Sequence, residues 1–438
     1  MAKKKQDLTP EERLAAALVP KEEWPYALPD GWKWVYWGKC GDFIAGTGFP
    51  KLYQGIIGEK YPFYKVGSLR SIDADGYLMD NQHSIDDKIL LKIKAKKIEP
   101  NSIVFAKIGE AIKLNRRGLT KQVCCVDNNM MAFQADKNLL DYHYVYYWST
   151  GIDLYKYTNA TTVPAIRKTD LEKIVFPLPP LSEQRRLVAR IESLFAKLDA
   201  AREKVQSVLD SHETRKAALL HDAFTGKLTA RWQEEHNLSY NEWHLVCIKD
   251  ICHSLKYGTA KKSEASGRYV VIRMGNLFDG EILWDNLAYS NDSEDIEKYQ
   301  LTPGDVLFNR TNSAALVGKT SIYRGDYPAI YAGYIIKLDY DRQAIDGEFL
   351  NYVMNSPCAK AYCNKVKTDG VNQSNINAKK IGAFQFKLPS LPEQQEIVRI
   401  LGRLLAREQR ARQAAEETLA AIDRMKQSIL ARAFRGEL

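Results

Sequence analysis

The sequence predicts an α/β protein in which two similar mixed α/β domains are joined by two long antiparallel helices of the coiled-coil type, as a pseudo-two-fold duplication. Two observations predict this fold. A long helical pattern occurs twice, with its copies 210 residues apart, and short apolar runs typical of strands precede each copy. The predicted segments are an N-terminal helix and arm (1–21), a first domain (22–180), a first helix with its linker (181–240), a second domain (241–390) and a second helix (391–438).

The helical pattern has matching ends in its two copies. The first copy runs from Leu178-Pro-Pro-Leu-Ser-Glu-Gln184 to Ala223-Phe-Thr-Gly-Lys-Leu228, and the second from Leu388-Pro-Ser-Leu-Pro-Glu-Gln394 to Ala433-Phe-Arg-Gly-Glu-Leu438. No insertion or deletion separates these matches, so the two helices are predicted to be equally long. Some 40 residues of helix would span roughly 60 Å.

Local signals mark the helix ends. Ser390 and Glu393 have the spacing of a capping box in the second copy. The first copy has Pro180 at that cap position and keeps the glutamate, so proline and helix-dipole preferences favour its start. Gly226 and Gly436 lie where a left-handed C-terminal cap is expected.

Apolar residues within the helices alternate at spacings of four and three, which is the heptad pattern of one helix lying along another. The seam residues of the first copy are Leu187, Ile191, Leu194, Leu198, Ala201, Val205 and Val208. The pairing candidates of the second copy are Ile397, Leu401, Leu404, Ile422 and Met425. His212 and Arg215 interrupt the first seam, and Glu408 and Thr418 weaken the second. The alternative is that each helix packs only on its own globular domain.

Composition is that of a soluble globular protein with more than one domain, since 45% of the 438 residues are hydrophobic and 27% are charged. The net charge of +9 permits nucleic-acid binding without requiring it. No run of 18 apolar residues and no signal peptide is present, so we expect a cytoplasmic protein without membrane association. The seven cysteines include no Cys-x-x-Cys pair, which favours reduced thiols and no metal site.

Within the first domain, short elements are predicted in chain order. Thr9-Pro-Glu-Glu12 is a capping box that begins a short helix through Leu18. Strands are expected at Ile103–Phe105, Val123–Val126 and Ile174–Phe176, with a helix at Tyr142–Trp148.

The second domain repeats the first more loosely. Asn241–Val246 corresponds to Asp30–Val35, Pro303–Arg310 to Pro100–Lys107, and Ile376–Ile381 to Ile166–Leu171. The offset between these pairs drifts, so the differences are insertions in loops. One scaffold with different loops is the pattern expected of two binding sites with different targets.

The order of domain and helix, with Leu-Pro-x-Leu-x-Glu-Gln heads and Ala-Phe-x-Gly tails, resembles the DNA-specificity subunit of type I restriction–modification enzymes over the whole chain. The resemblance implies two target-recognition domains, each reading half of a split site in double-stranded DNA, and helices that act as a spacer and dock two methyltransferase subunits. It also implies restriction subunits in the full complex, with S-adenosylmethionine and ATP bound by partners and not by this chain. One departure is Thr162-Val-Pro-Ala-Ile166, which lacks the Gln-x-Asn-Ile pattern kept at Gln373–Ile376.

DNA contacts are then expected from basic and polar loop residues. Lysine and arginine neutralise phosphates, arginine suits guanine, and asparagine or glutamine suits adenine. The candidates in the first domain are Lys107, Lys113, Arg116, Arg117 and Lys121. Those in the second domain are Arg273, Asn276, Arg310, Asn312, Lys319, Asn372 and Gln373. A solvated basic hairpin is the alternative for the first group.

Motifs for catalysis within the chain are weak. The Asn/Asp-Pro-Pro-Tyr/Phe loop of adenine methyltransferases does not occur, and Gly318-Lys-Thr320 lacks the leading glycine of a phosphate loop, which is replaced by Ser313. We therefore expect a non-catalytic subunit that reads a bipartite, asymmetric target. If both domains use one face of the duplex, its half-sites lie about one helical turn apart, ~34–36 Å. The rival classes are a stand-alone methyltransferase or nuclease, and a coiled-coil scaffold that does not bind DNA.

Overall fold

The computed structural model describes residues 10–159 and 163–438. The chain divides into two compact units, Met1–Lys204 with Thr418–Leu438, and Val205–Glu417. Both divisions fall inside the long helices, so each unit holds one globular domain and a part of each helix. Within the described residues, no helix combines the length and hydropathy that crossing a membrane requires.

The first unit is a mixed α/β domain, as predicted. Its helices are α1 (Pro10–Ala17), α2 (Asp87–Lys92), α3 (Tyr142–Thr150), α4 (Lys168–Leu171) and most of α5 (Leu181–Asp210). Its strands are β1 (Lys33–Tyr36), β2 (Gly41–Ala45), β3 (Tyr61–Tyr64), β4 (Ser84–Ile85), β5 (Ile103–Ala106), β6 (Arg117–Leu119), β7 (Cys125–Val126), β8 (Met130–Ala135) and β9 (Val175–Leu178). The expected strand at Ile103 and helix at Tyr142 are present with small shifts at their ends, and Thr9 of the predicted capping box lies outside the described residues.

The second unit contains the same kinds of element. Its helices are α6 (His212–Phe224), α7 (Ala230–Glu235), α8 (Ile248–Ile251), α9 (Ser293–Tyr299), α10 (Gly347–Met354), α11 (Pro357–Val366), α12 (Ala378–Gly382) and most of α13 (Leu391–Ala433). Its strands are β10 (His244–Cys247), β11 (Cys252–Tyr257), β12 (Tyr269–Ile272), β13 (Leu277–Phe278), β14 (Glu281–Ile282), β15 (Tyr289–Ser290), β16 (Val306–Asn309), β17 (Thr311–Asn312), β18 (Thr320–Ile322), β19 (Ala329–Tyr331), β20 (Ile335–Tyr340), β21 (Thr368–Asp369), β22 (Ser374–Asn375) and β23 (Gln385–Leu388).

Sheet topology confirms the duplication. The first unit has an antiparallel sheet in the order β2-β8-β5-β6, and the second has the matching order β11-β20-β16-β18. In both units a central strand pairs parallel with one neighbour and antiparallel with the other, as β4-β3-β7 and as β15-β12-β19. A further antiparallel pair precedes each long helix, β1 with β9 and β10 with β23. The hairpin β13-β14 and the sheet β17-β22-β21 of the second unit correspond to single antiparallel bridges in the first unit, Ile72 with Leu78, Ile108 with Ala165 and Thr158 with Ile166.

The same glutamine fastens each helix head to its own domain. The side-chain oxygen of Gln184 accepts a hydrogen bond from the Asp141 backbone N–H at 2.8 Å, and its amide donates to the Leu139 and Pro179 carbonyls at 3.0 and 2.9 Å. Gln394 makes the same three bonds, and each distance agrees with its Gln184 counterpart to within 0.1 Å. Both glutamines are fully buried, and Asp141 caps α3 as its counterpart Asp346 caps α10.

For Gln394 the corresponding partners are the Asp346 N–H at 2.9 Å and the Ala344 and Pro389 carbonyls at 3.0 and 2.9 Å. A buried amide that satisfies all of these backbone groups fixes the direction in which the helix leaves its domain. We call this arrangement the glutamine clamp.

The glutamate that precedes each glutamine makes different contacts in the two copies. Glu393 is buried, and its carboxylate accepts hydrogen bonds from the Trp243 indole at 3.0 Å and from the Gln233 amide at 2.6 Å. Glu393 is therefore bound to Gln233 of the linker and to Trp243 at the start of the second domain, and the predicted capping box with Ser390 is not formed. Glu183 instead pairs with Arg186, whose guanidinium lowers the pKa of that carboxyl. The left-handed glycines are confirmed, at φ +76° for Gly226 and +74° for Gly436.

The first turns of both long helices pack into the cores of their own domains. Leu187 and Ile191 are fully buried in the first unit, and Ile397 and Leu401 are fully buried in the second. This is the packing that the alternative interpretation of the seam describes. Farther along, Leu194, Leu198, Val205, Val208 and Leu404 are half-buried, and Ile422 is buried.

Contacts between the helices confirm their antiparallel pairing. In the first unit, Asp199 of α5 pairs with Lys426 of α13 at 2.5 Å, and Arg202 pairs with Asp423. In the second unit, Arg215 of α6 pairs with Glu408 of α13 at 2.8 Å. Residue numbers rise along one helix as they fall along the other.

Two polar interruptions of the seam therefore face each other. Glu408 contacts Arg215 and lies 3.9 Å from the buried imidazole of His212. The two positions that weakened the heptad pattern in separate copies form one ionic contact between the helices. Their side chains are partly shielded from water, at 36% exposure for Arg215 and 21% for Glu408.

Two seam predictions need correction. Met425 is 53% exposed, because Lys426 takes the inward position, pairing with Asp199 and lying 4.9 Å from the Phe195 ring centre. Ala201 is exposed, because the neighbouring Arg202 provides the inter-helix contact.

The first helix is also not continuous. It is divided at Ser211, whose hydroxyl bonds to the Ser207 carbonyl at 2.6 Å. Such a bond to the preceding turn bends a helix. The second helix runs unbroken for 43 residues.

Replacing the clamp glutamine by alanine tests its contribution to stability. Gln394→Ala removes three hydrogen bonds, of which the one to the Pro389 carbonyl is buried and those to Asp346 and Ala344 are partly buried, so we expect the free energy of unfolding to fall by about 2 to 4 kcal/mol. The control is Gln206→Ala, which removes an exposed bond to Asp210 and should cost less than about 0.5 kcal/mol. Urea unfolding followed by circular dichroism gives both values. Equal losses in the two variants would show that the clamp does not stabilise the domain.

Candidate nucleic-acid interface

Lys107 and Arg310 occupy the same position in the two domains. Each follows the last residue of an equivalent strand, β5 or β16. The Lys107 N–H donates to the Asn129 carbonyl at 2.8 Å, and its carbonyl accepts from Ile166 at 2.9 Å. The Arg310 N–H donates to the Tyr334 carbonyl at 2.9 Å, and its carbonyl accepts from Ile376 at 2.8 Å. The correspondence of Pro100–Lys107 with Pro303–Arg310 expected from the sequence is thus confirmed, and the two candidates are structural counterparts.

The loop that lacks the Gln-x-Asn-Ile pattern joins its domain in the same way as the loop that has it. Ala165 forms an antiparallel bridge with Ile108, as Asn375 pairs with Thr311 in the second domain. Asn375 adds a side-chain bond to the Thr311 hydroxyl at 2.8 Å. Thr162 lies outside the described residues. The sequence departure therefore leaves the backbone pairing unchanged next to Lys107.

The prediction that Arg117 lies in an exposed basic loop is wrong. Arg117 begins β6 and is 4% exposed, with its guanidinium bonded to Asn115 at 3.0 Å and to the Ile152 carbonyl at 2.9 Å. Burial lowers the pKa of Arg117 to about 10, and the guanidinium also lies over the Phe105 ring. Arg117 therefore stabilises the interior of the first domain and is not available to DNA.

Asn276 is a second correction. It is 4% exposed, and its amide donates to the Leu283 and Asp285 carbonyls at 3.0 and 3.1 Å. Its side-chain oxygen accepts from the Arg273 N–H at 3.0 Å. Asn276 therefore shapes the turn that carries Arg273, which is itself exposed and bonded to the Asn286 carbonyl. A short polar side chain next to glycine has the same sequence signature whether it binds the backbone or a base.

The other candidates lie at the surface with different local partners. Arg116, Lys121, Asn372 and Gln373 are exposed, and the last two adjoin the fully exposed Val371. Lys113 is exposed but pairs with Glu110 at 2.6 Å.

Asn312 and Lys319 are half-buried. The side-chain oxygen of Asn312 accepts from the Ser313 N–H at 2.8 Å. The Lys319 ammonium lies 5.3 Å from the Phe278 ring centre.

A basic segment of the first domain was not among the predicted residues. We call it the lysine segment. It contains Lys88, Lys92, Lys94, Lys96 and Lys97, on α2 and the turn that follows. All five are exposed, and none makes an ion pair with another described residue. Five lysines in ten residues are a sequence signal that could have identified them.

The lysine segment adjoins the Lys107 position. The Lys96 N–H lies 3.4 Å from the Thr47 hydroxyl, on the loop that bridges to Asp127. Burial, together with repulsion from the Lys96 charge, lowers the pKa of Lys107. The end of the lysine segment therefore lies beside Lys107, and its exposed positive charges suit a polyanion such as the DNA backbone.

Residues 10–159 and 163–438 contain no cluster of three or more histidine, cysteine, aspartate or glutamate side chains suited to a metal ion. The seven cysteines are all free thiols, and burial raises the pKa of Cys40 to about 12 and that of Cys125 to about 11.

Paired helices that carry two domains of one topology, each with cations at equivalent strand ends, define a duplicated recognition protein. The family model described as "Type I restriction modification DNA specificity domain" matches residues 29–209 and 240–417, which is more than half of the chain. The chain belongs to this family.

Curated relatives have the same description. The type I restriction enzyme StySPI specificity subunit of Salmonella potsdam is 29% identical over 62% of this chain and 59% of its own length. The EcoKI specificity subunit of Escherichia coli K12 is 28% identical over 62% of this chain and 60% of its own length. The MjaVIII specificity subunit of Methanocaldococcus jannaschii is 24% identical over 85% and 86% of the two chains. The matches thus span about 60% of the first two relatives.

Two solved structures share the fold. One, described as "Structural basis underlying complex assembly and conformational transition of the type I R-M system", contains a chain that aligns with a TM-score of 0.72 at 20% identity, over 94% of this chain and all of that chain. The HsdS subunit from Thermoanaerobacter tengcongensis aligns with a TM-score of 0.58 at 20% identity, over 94% and 99%.

Neutralising part of the lysine segment tests its role. We expect Lys94→Gln, Lys96→Gln and Lys97→Gln together to weaken binding to every duplex sequence alike. Each lysine that contacts a phosphate contributes about 0.9 to the slope of log affinity against log salt concentration, so the slope should become less steep by about 1 to 3. Fluorescence anisotropy of the full chain on a mixed-sequence duplex measures it.

The control removes three lysines that have acidic partners, with Lys168→Gln, Lys227→Gln and Lys256→Gln. It changes the net charge by the same amount. An equal loss of slope in both variants would mean that overall charge, and not the lysine segment, governs binding.

Proposed function

We propose that this chain is the DNA-recognition subunit of a type I restriction–modification complex in the cytoplasm. Each domain reads one half of a bipartite, asymmetric site in double-stranded DNA. The chain directs partner methyltransferase and restriction subunits to that site. The observation that carries the proposal is the equivalence of Lys107 and Arg310, because one scaffold presents a different cation at the same place in each domain.

The asymmetry of the target follows from the differences between the domains. Lysine is a point charge, whereas arginine is a planar fork of donors that matches two acceptors at once. The loop beside this position also differs, because the second domain has Gln373-Ser-Asn-Ile376 in the sheet β17-β22-β21, whereas the described residues of the first domain form only single bridges there. Two surfaces that differ in this way favour two different half-sites.

The partners and cofactors follow from membership of the family. We propose that two methyltransferase subunits bind S-adenosylmethionine and that restriction subunits bind ATP, while this chain supplies recognition and no catalytic group. Two copies of the helical pattern are consistent with two copies of one partner. The chain alone should then neither transfer methyl groups nor bind S-adenosylmethionine saturably in calorimetry.

Domain exchange tests the proposal. The chain is co-expressed with its methyltransferase partner in a bacterial strain without adenine methylation, and methylated adenines are mapped across the genome. Replacing residues 22–180 by the first domain of another family member should change one half of the methylated site and preserve the other. A change in both halves would show that the domains are not separate readers, and methylation by the chain alone would make it an enzyme.

The paired helices predict a second outcome. Each helix head is clamped to its own domain, so the length of the helices determines the gap between the half-sites. Seven residues inserted near Gln206 restore the heptad phase, because seven residues make two turns. The insertion should lengthen the gap in the methylated site or abolish methylation, and the bases read in each half should stay the same.

An insertion of two residues is the matched control, because it rotates the seam by roughly 200° and should disrupt the helix pair. An unchanged gap in the seven-residue variant would contradict the spacer role.

A further inference from the structure

Arg310 is a half-buried cation without a counter-ion. Its Nη1 donates to the Gly333 carbonyl at 3.2 Å, and its Nε is buried without a hydrogen-bond partner. No carboxylate of the described residues lies within ion-pair distance of it. A partly desolvated cation without a counter-ion is costly, and an external acceptor at the terminal nitrogens of the guanidinium would offset that cost.

An aromatic ring positions the guanidinium of Arg310. The guanidinium lies over the ring of Tyr257, with its central carbon 4.8 Å from the ring centre. The Tyr257 hydroxyl in turn accepts the Ala378 N–H at the start of α12, at 3.0 Å. Because the backbone of Arg310 is bonded on both sides, ring and strand together restrict the rotamers of the side chain. An arginine ordered before binding loses less conformational entropy on contact.

The equivalent position in the first domain has the same character. Lys107 is half-buried, forms no ion pair with a described residue, and lies near the charges of both Lys96 and Asp127. A cation without an ion pair to the described residues thus occurs at one backbone position in both domains, although their loops have diverged. Packing alone would not require this, because a neutral side chain could take the same place at lower electrostatic cost.

We propose that this position reads a guanine in each half-site, through Arg310 in one half and Lys107 in the other, with Tyr257 as the positioning residue for Arg310. This rests on the proposed function. Guanine presents two acceptors, O6 and N7, at the edge of the major groove, and arginine and lysine are the side chains that contact them. The donors of Arg310 other than the one bound to Gly333 remain for these acceptors.

The experiment uses the full chain with its methyltransferase partner, and the probe is genomic DNA from a strain without adenine methylation. Arg310→Ala should relax the methylated motif at one G·C pair in one half, with a loss of discrimination of roughly 10- to 100-fold. Lys107→Ala should relax one pair in the opposite half. Arg310→Lys keeps the charge and should retain part of the preference. The control is Arg324→Ala, an arginine already paired with Glu281 and Glu348, and its motif should stay intact.

The contrary outcomes are distinct. A uniform loss of methylation without a change of motif would make Arg310 a phosphate contact and overturn the proposal. Relaxation of the same half by both variants, or no effect of either, would also overturn it. Failure of the wild-type complex to methylate a bipartite motif would instead overturn the proposed function. Thermal unfolding of each purified variant separates loss of fold from loss of base discrimination. If Arg310→Ala unfolds, the partial relaxation expected of Arg310→Lys at the same G·C pair tests the proposal instead.

The positioning role of Tyr257 has its own test. Tyr257→Leu removes the ring and should relax the same G·C pair as Arg310→Ala, leaving the half read by Lys107 unchanged. Tyr257→Phe keeps the ring beneath the guanidinium and should restore the preference. If Tyr257→Leu weakened methylation of all sequences equally, or if Tyr257→Phe failed to rescue the motif, the positioning role would be excluded.

Discussion

The glutamine clamp is the interaction on which the rest of the structure depends. A long helix can direct a domain only if its first turn is fixed to that domain, and one buried amide does this by satisfying backbone groups on both sides. The clamp is the same in both copies, whereas the neighbouring glutamates have taken different partners. The geometry of the helix head is therefore preserved at the level of single hydrogen bonds while its surroundings differ.

Pairing of the helices depends on polar as well as apolar contacts. The seam includes Asp199 with Lys426 and Arg215 with Glu408, each partly shielded from water. A polar group in a helical seam costs stability and favours the one register in which it finds its partner. These pairs specify the antiparallel alignment, and that alignment lets each unit combine the head of one helix with the tail of the other.

The fold was predictable from sequence because a duplication leaves the same signal twice. The helix heads, the glycine caps and the strand at Ile103 all follow from local patterns. Met425 was misplaced because a lysine can fill a seam position with its aliphatic stem, which a search for apolar residues does not detect. Arg117 and Asn276 were misplaced because burial depends on tertiary packing, and the sequence alone does not distinguish a buried arginine or asparagine from an exposed one. The lysine segment was visible in the sequence, but its closeness to Lys107 was not.

The central claim is that one scaffold, used twice, reads two half-sites independently. Replacing the second domain (241–390) by a copy of the first (22–180) on the native helices tests it most directly, with methylated adenines mapped in the presence of the partner subunits. The account predicts a target whose two halves carry the same bases with the native gap between them. A complex that kept the original asymmetric target, or lost all sequence preference while remaining folded and assembled, would contradict it.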